Sequence, residues 1–245
     1  MPDTADTVVR FLASDTLTRL EMIKGASEAE SLRAWMSDEA FAEYLGLAEK
    51  IDMAHLAAPV SSNIIFVPGV MGSLLTSRKL GGVWWVDFRS RKHLNDLRLA
   101  PDGLMDANPS HDVASFAVDV SYESFLTAVL CHDDFGHIGF HYDWRKPLYV
   151  SAERLRETIL ATYAQNERRP VHVVAHSMGG LLVRVTLMRN PELWRCIDKV
   201  VFLGTPHYGS PAIAGYLKNH LWGFDLMFAL GRYLDRDTFR SLWGF

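Results

Sequence analysis

Three short, unbroken apolar runs constrain this chain more than any other feature. Ile64-Ile65-Phe66-Val67 stops at Pro68-Gly69, and Val171-His172-Val173-Val174-Ala175 stops at His176-Ser177-Met178-Gly179. Lys199-Val200-Val201-Phe202-Leu203 stops at Gly204-Thr205-Pro206. A strand with one wet face alternates apolar and polar residues, so a run that does not alternate calls for burial on both faces. Helical stretches lie between the runs, at 122–130, 151–166 and 178–190, the last ending before Pro191. Strands alternating with helices predict an α/β fold, with a mostly parallel sheet flanked by helices. Phe116-Ala117-Val118-Asp119-Val120 and Ile138-Gly139-Phe140 read as further strands.

Residues 1–60 lack strand-like runs and read as an N-terminal helical extension to a main domain over 61–245. Ser27 and Glu30 have the spacing of a capping box, and Leu32, Trp35, Met36, Phe41, Leu45 and Leu47 follow in helical rhythm. Such a stripe is expected to pack against the main domain. Residues 76–112 are rich in Gly, Pro, Asp and Arg and carry Trp84-Trp85, so they read as a long excursion from the sheet. Residues 212–245 read as helical and aromatic-rich. The tail Ser241-Leu242-Trp243-Gly244-Phe245 has no polar terminus and reads as a cut through a cap domain.

With 245 residues, 49 % hydrophobic and 22 % charged, the chain can bury one sizeable core. A formal charge of −4 gives no basic surface, which argues against a nucleic-acid partner. Cys131 and Cys196 are too few for a disulfide framework and read as free thiols of a reducing compartment. No stretch reaches the ~20 apolar residues of a membrane span. The start, Met-Pro-Asp-Thr-Ala-Asp, is acidic where a signal peptide is basic. These features predict a soluble, cytoplasmic protein; they set no oligomeric state.

The chemistry-bearing feature is strand, then Ala175-His176-Ser177-Met178-Gly179, then helix. It follows the nucleophile-elbow pattern Gly-x-Ser-x-Gly with Ala175 in place of the first glycine. The turn needs small residues on either side of the serine, and alanine is the smallest non-glycine choice. Ser177 is therefore the candidate nucleophile. The helix N-terminus beneath it offers free N–H groups, which favour the oxyanion of an attacked acyl group. Met178 N–H is the first candidate donor. A second should come from the loop after an earlier strand, Pro68-Gly69-Val70-Met71-Gly72. There Gly69 lets the backbone turn, Val70 N–H is the first choice and Met71 the reserve.

At this point the sequence resembles the lecithin:cholesterol acyltransferase-like branch of the α/β-hydrolases. Four stretches carry the resemblance: Phe66–Ser73; Trp84–Gly103 with Leu94, Leu97 and Leu99; Tyr142-Asp143-Trp144-Arg145; and the elbow at 171–184 with Gly204–Ser210. The resemblance implies a serine lipase or O-acyltransferase that moves an acyl chain from a lipid ester through an acyl-enzyme. It implies a Ser-Asp-His triad with no metal or organic cofactor, a lid near Trp84 and a cap after residue 211. Ser177 carries over as nucleophile, and Val70 and Met178 as oxyanion donors. Tyr142, Asp143, Trp144 and Arg145 carry over as a site-framing motif, as do Gly69, Met71, His176 and Gly179 around the two turns. From the residues alone, Asp143 and Arg145 can pair and Trp144 can pack on the sheet edge.

A serine needs a histidine base and an acid to orient it, in the chain order Ser, Asp or Glu, His. Past Ser210 no buried strand is legible. Asp225, Asp235 and Asp237 sit in helix-like surroundings, and His220 precedes all three. His176 lies inside the elbow, pointing away from the serine in the usual geometry, and His207 reads as a packing residue. The acid and base of the triad are thus not found in this chain. Three readings remain open: a lipid acyl hydrolase or acyltransferase, a non-catalytic lipid-binding module, and an esterase, thioesterase or peptidase on another substrate. The partner is then a lipid or other ester, and any membrane contact would be transient, through exposed Trp or Leu side chains.

Overall fold

A computed structural model of the chain describes residues 4–50, 62–85, 93–130 and 136–211. In chain order its elements are α1 (Thr4–Ala13), α2 (Thr16–Lys24), α3 (Ala26–Trp35), α4 (Asp38–Lys50), β1 (Ser62–Val67), β2 (Ser73–Ser77) and β3 (Gly81–Trp85). There follow β4 (Val113–Val118), α5 (Glu123–Leu130), β5 (Gly136–Gly139), α6 (Leu148–Gln165), β6 (Val171–His176), α7 (Met178–Arg189) and β7 (Ile197–Leu203).

The apolar runs become a parallel sheet in the order β5-β1-β6-β7. β1 shows why its run does not alternate. Ile65 and Val67 are fully buried in one cluster with Leu155 and Ile159 of α6 and Leu182 and Val183 of α7. Phe66, between them, is buried on the opposite face against Val118 and Leu126, the latter on α5. Each fully buried aliphatic or aromatic side chain is worth about 1.5–3 kcal/mol. The sheet is therefore an α/β layer with helices on both faces, as the sequence predicts.

β7 departs from expectation. Val201 and Phe202 remain 43 % and 37 % exposed. Among the described residues β7 pairs only with β6, and there its run is not buried on both faces.

Phe116-Ala117-Val118 does form a strand, but not in the parallel sheet. β4 pairs antiparallel with β2, which also pairs antiparallel with β3, giving a second sheet in the order β3-β2-β4. Within the expected excursion at 76–112, Gly81–Trp85 is thus a strand and Asn95–Leu97 a 3-10 turn, and the other described residues after Ser77 lie outside regular elements. Asp119 ends β4 by accepting from the Ser121 amide at 2.9 Å, which starts a 3-10 turn at Val120–Tyr122.

Helices α1 to α4 bury Phe11, Leu12, Met22, Ile23, Leu32 and Phe41 in one cluster with Leu74 of β2 and Ala117 of β4. Arg19 of α2 reaches inward, donating to the carbonyls of Phe11, Leu12 and Val118 and to the Glu123 carboxylate of α5. Both partners of that ion pair are 3 % exposed. The capping box at Ser27 is not formed. α3 starts at Ala26, with Gly25 as a cap that offers no side-chain bond, so Ser27 lies inside the first turn and bonds Glu28 instead. The side-chain caps are elsewhere: Asp15 accepts from Thr18 N at 2.9 Å, and Ser37 accepts from Ala40 N at 3.2 Å.

Among the described residues no helix is long and apolar enough to cross a membrane. Cys196 is a buried free thiol. Cys131 and residues 212–245, including His220, Asp225, Asp235 and Asp237, lie outside the described residues.

Candidate functional site: a strained serine facing a clamped loop

β6 ends at His176 and α7 begins at Met178, so Ser177 alone carries the reversal. Its φ of 51° and ψ of −123° are a conformation that a non-glycine residue holds only when its surroundings impose it. Those surroundings are identifiable. Ser177 N donates to Leu203 O at the end of β7 at 2.8 Å, and Gly180 N donates to Ser177 O at 3.0 Å. A Cβ at Gly179 would overlap the carbonyl oxygens of Pro68 and Val67, and one at Gly180 would overlap the Thr205 side chain. Gly179 therefore lets α7 sit directly on the end of β1, and Gly180 lets it pass the segment after β7. Ser177 itself is half-buried.

The loop Pro68–Gly72 lies against this turn. A Cβ at Gly69 would sit 3.0 Å from Ser177 Cβ. A glycine at 69 is thus favoured by the tight space, whereas the sequence assigned it a turning role. The residue with left-handed backbone in the loop is Met71, at φ 62°. Four bonds fasten the loop from outside. Tyr142 Oη donates to Pro68 O at 3.1 Å, Gly69 N donates to Tyr122 Oη at 3.1 Å, and Trp85 Nε1 donates to Met71 O at 3.0 Å. Asp119 N donates to Gly72 O at 2.9 Å. The amides of Val70, Met71 and Met178 donate to no described residue.

The run at 142–145 is the loop's outer frame. Tyr142 N donates to Ser73 Oγ at 3.1 Å and Trp144 Nε1 to Ser73 O at 3.0 Å, which stitches the run to the start of β2. Trp144 meets Trp85 edge to face at 5.0 Å between centroids. Arg145 grips Asp143 through Nε at 2.9 Å and Nη2 at 2.7 Å, and also holds Asp106 at 3.0 Å and Leu97 O at 2.7 Å. Burial opposes the Arg145 charge, but the bonds and charges of Asp143 and Asp106 outweigh it and hold its pKa above the usual guanidinium value. Burial pushes the Tyr142 phenol well up, so it stays a donor to Pro68 O. Asp143 and Arg145 do pair, and Trp144 packs as a framing residue.

Trp84 does not stand on an open lid. It is 2 % exposed, stacked on His93 at 4.3 Å with Nε1 bonded to Gly81 O at 2.9 Å. The Trp84 side chain thus lies in the core, and residues 86–92, which the expected lid near it would include, lie outside the described residues. Trp85 is likewise buried.

His176 Nδ1 lies 2.8 Å from Tyr122 Oη, so this histidine joins the frame of the site. His207 accepts from Arg184 Nη1 at 3.1 Å and packs on Phe202, as a structural residue would. No hydrogen bond to Ser177 Oγ comes from a described residue. Sequence reasoning missed Tyr122, Ser73 and Asp106. Tyr122 meets Gly69 and His176 across 53 and 54 residues, and only its place just before a helix start marks it locally.

The lecithin:cholesterol acyltransferase family model matches residues 134–221, which include the 142–145 run and the turn at Ser177. The uncharacterized protein YJR098C of Saccharomyces cerevisiae is 23 % identical over 178 residues, 69 % of this chain and 26 % of that protein. Phospholipase A(1) LCAT3 of Arabidopsis thaliana is 26 % identical over 104 residues, 41 % of this chain and 21 % of that protein. The chain thus aligns with about a quarter of the length of these curated relatives. Among solved structures, the mature Bacillus licheniformis lipase BlEst2 aligns with a TM-score of 0.41 and 18 % identity, covering 76 % of this chain and 57 % of that one. Over residues 134–221, which carry the serine turn and three strands of the parallel sheet, the chain is similar to the lecithin:cholesterol acyltransferase family.

Proposed function

We propose that this chain supplies the nucleophile and oxyanion site of a lipid acyl hydrolase or O-acyltransferase. The single observation that carries the proposal is the strained Ser177 turn set against a loop whose next amides donate to no described residue. In this reading Ser177 Oγ attacks the ester carbonyl as its proton passes to a base. The carbonyl oxygen becomes an oxyanion held by the amides of Val70 and Met178. Collapse expels the alcohol, which takes up that proton, and leaves an acyl group on Ser177. Water or a second alcohol then takes the acyl group and restores the serine. Holding the amides in place before reaction is worth about 3–4 kcal/mol per donor in comparable sites. No step calls for a metal or organic cofactor. The lipid nature of the substrate is supported by the family match and by the name of the Arabidopsis relative.

A fluorophosphonate probe, which phosphonylates activated serines, tests the reading on the full-length protein. Ser177 should be labelled, and Ser177→Ala should abolish the label. Labelling unchanged in Ser177→Ala overturns it. Turnover of phospholipid vesicles, a short nitrophenyl ester and a peptide then defines the substrate, and clear preference for the peptide would refute the lipid assignment. Vesicle binding without labelling would instead favour a non-catalytic lipid-binding module. The proposal also places the protein in the cytoplasm with transient membrane contact, to be checked by cell fractionation.

A further inference from the structure

The Tyr122 hydroxyl joins the loop 68–72 to the serine turn. It accepts the Gly69 amide at 3.1 Å and lies 2.8 Å from His176 Nδ1. A phenol has a single hydrogen to give. The Gly69 N–H is a donor, so the hydroxyl must act as acceptor there. Its own hydrogen is then free for His176 Nδ1. Burial holds the phenol above its ordinary range, with the nearby Asp119 charge adding to it, so the hydrogen is retained at neutral pH. The ring cannot drift. Phe66 meets it edge to face at 4.9 Å, and a Cβ on Gly72 would overlap it at 2.8 Å.

We propose that Tyr122 is a positioning residue that decides which amide of the loop serves the oxyanion. Its hydroxyl consumes the Gly69 N–H and holds His176 with Nδ1 bare and Nε2 protonated. The next amides, Val70 and Met71, which donate to no described residue, are left to face the oxyanion beside Ser177. The same hydroxyl sets the distance between the loop and the turn, because Gly69 and His176 belong to opposite sides of the site. The bridge follows from geometry alone; its consequence for the oxyanion rests on the acyl-transfer reading.

Two measurements on the full-length protein test the proposal. In 15N-labelled protein at neutral pH, His176 should show the Nε2–H tautomer, with its signals assigned by their loss in His176→Gln. Tyr122→Phe keeps the ring and removes only the oxygen. That variant should lose the fixed tautomer. Its saturating rate of fluorophosphonate labelling at Ser177 should fall about tenfold or more, with probe affinity little changed. A merely structural role would lower the melting temperature and leave the saturating rate of the folded protein as in the wild type. An Nδ1–H tautomer in the wild type, or a wild-type saturating rate in Tyr122→Phe, overturns the proposal. Should the wild type take no label at Ser177, the acyl-transfer reading fails by itself, and the tautomer of His176 in the two proteins still decides for or against the bridge.

Discussion

The tolerance of the serine turn is set by what its two glycines touch. Gly179 faces the backbone carbonyls of Val67 and Pro68, which cannot rotate away. Gly179→Ala should therefore cost about 2 kcal/mol or more and displace Ser177, read as a lower urea midpoint and lost probe labelling. Gly180 faces Oγ1, Cγ2 and Cβ of Thr205, and no rotamer change moves the last, so Gly180→Ala should also lower the urea midpoint. Tyr142→Phe leaves the buried Pro68 carbonyl without its donor and should cost about 1–3 kcal/mol. Equal urea midpoints for wild type and Tyr142→Phe would contradict that assignment. The serine and its glycines are legible in the sequence because the turn is local and its steric demands leave a five-residue signature. Tyr122, Ser73 and Asp106 are not, because each acts on partners far along the chain and nothing in their neighbours encodes it. Gly69 is legible as a needed glycine, but for the wrong reason, since close approach and left-handed backbone demand the same residue.

Between elements, the firmest join is the ion pair of Arg19 on α2 with Glu123 on α5, which ties the N-terminal helices to the sheet that frames the site. Glu123 directly follows Tyr122, so the same helix start anchors both contacts. Two buried charges repay their desolvation only together. Arg19→Met alone should cost about 3–5 kcal/mol by stranding the Glu123 carboxylate. Adding Glu123→Leu should recover much of that loss, and urea midpoints of the four proteins measure the coupling. Additive losses would show that the pair is not what joins the elements. The helices themselves are readable from apolar periodicity, yet their docking is not. Ser27 illustrates the limit: the spacing of a capping box is present, but the helix begins one residue earlier. β4 illustrates another, since an apolar run announces a strand without announcing which sheet receives it.

For the molecule as a whole, two half-buried histidines govern the response to acid. Burial pushes His137 and His141 down to about 4, with the neighbouring charges of Asp15 and Arg19 acting on the first and Arg154 on the second. An unfolded chain takes up these protons near pH 6.5, whereas the folded one resists until about 4. Stability should be full above pH 6.5 and fall as pH drops towards 4, by up to about 1.4 kcal/mol per unit for each ring. Urea midpoints at pH 7, 6 and 5 should decline, and His137→Gln with His141→Gln should flatten the decline. A flat profile in the wild type would rule out both rings as the cause.

The five residues Pro68–Gly72 connect β1, a central strand of the parallel sheet, to β2, the central strand of the antiparallel one. Their fasteners come from β3, from the turn after β4 and from the segment after β5. Ser177 therefore meets a finished partner surface only after both sheets have closed. Under the proposed acyl-transfer reading, labelling at Ser177 becomes a gauge of cooperative assembly: a chain with one sheet formed would keep much of its circular dichroism and still be chemically silent. In a urea series, labelling should vanish in one sharp step, at or before the first loss of either sheet.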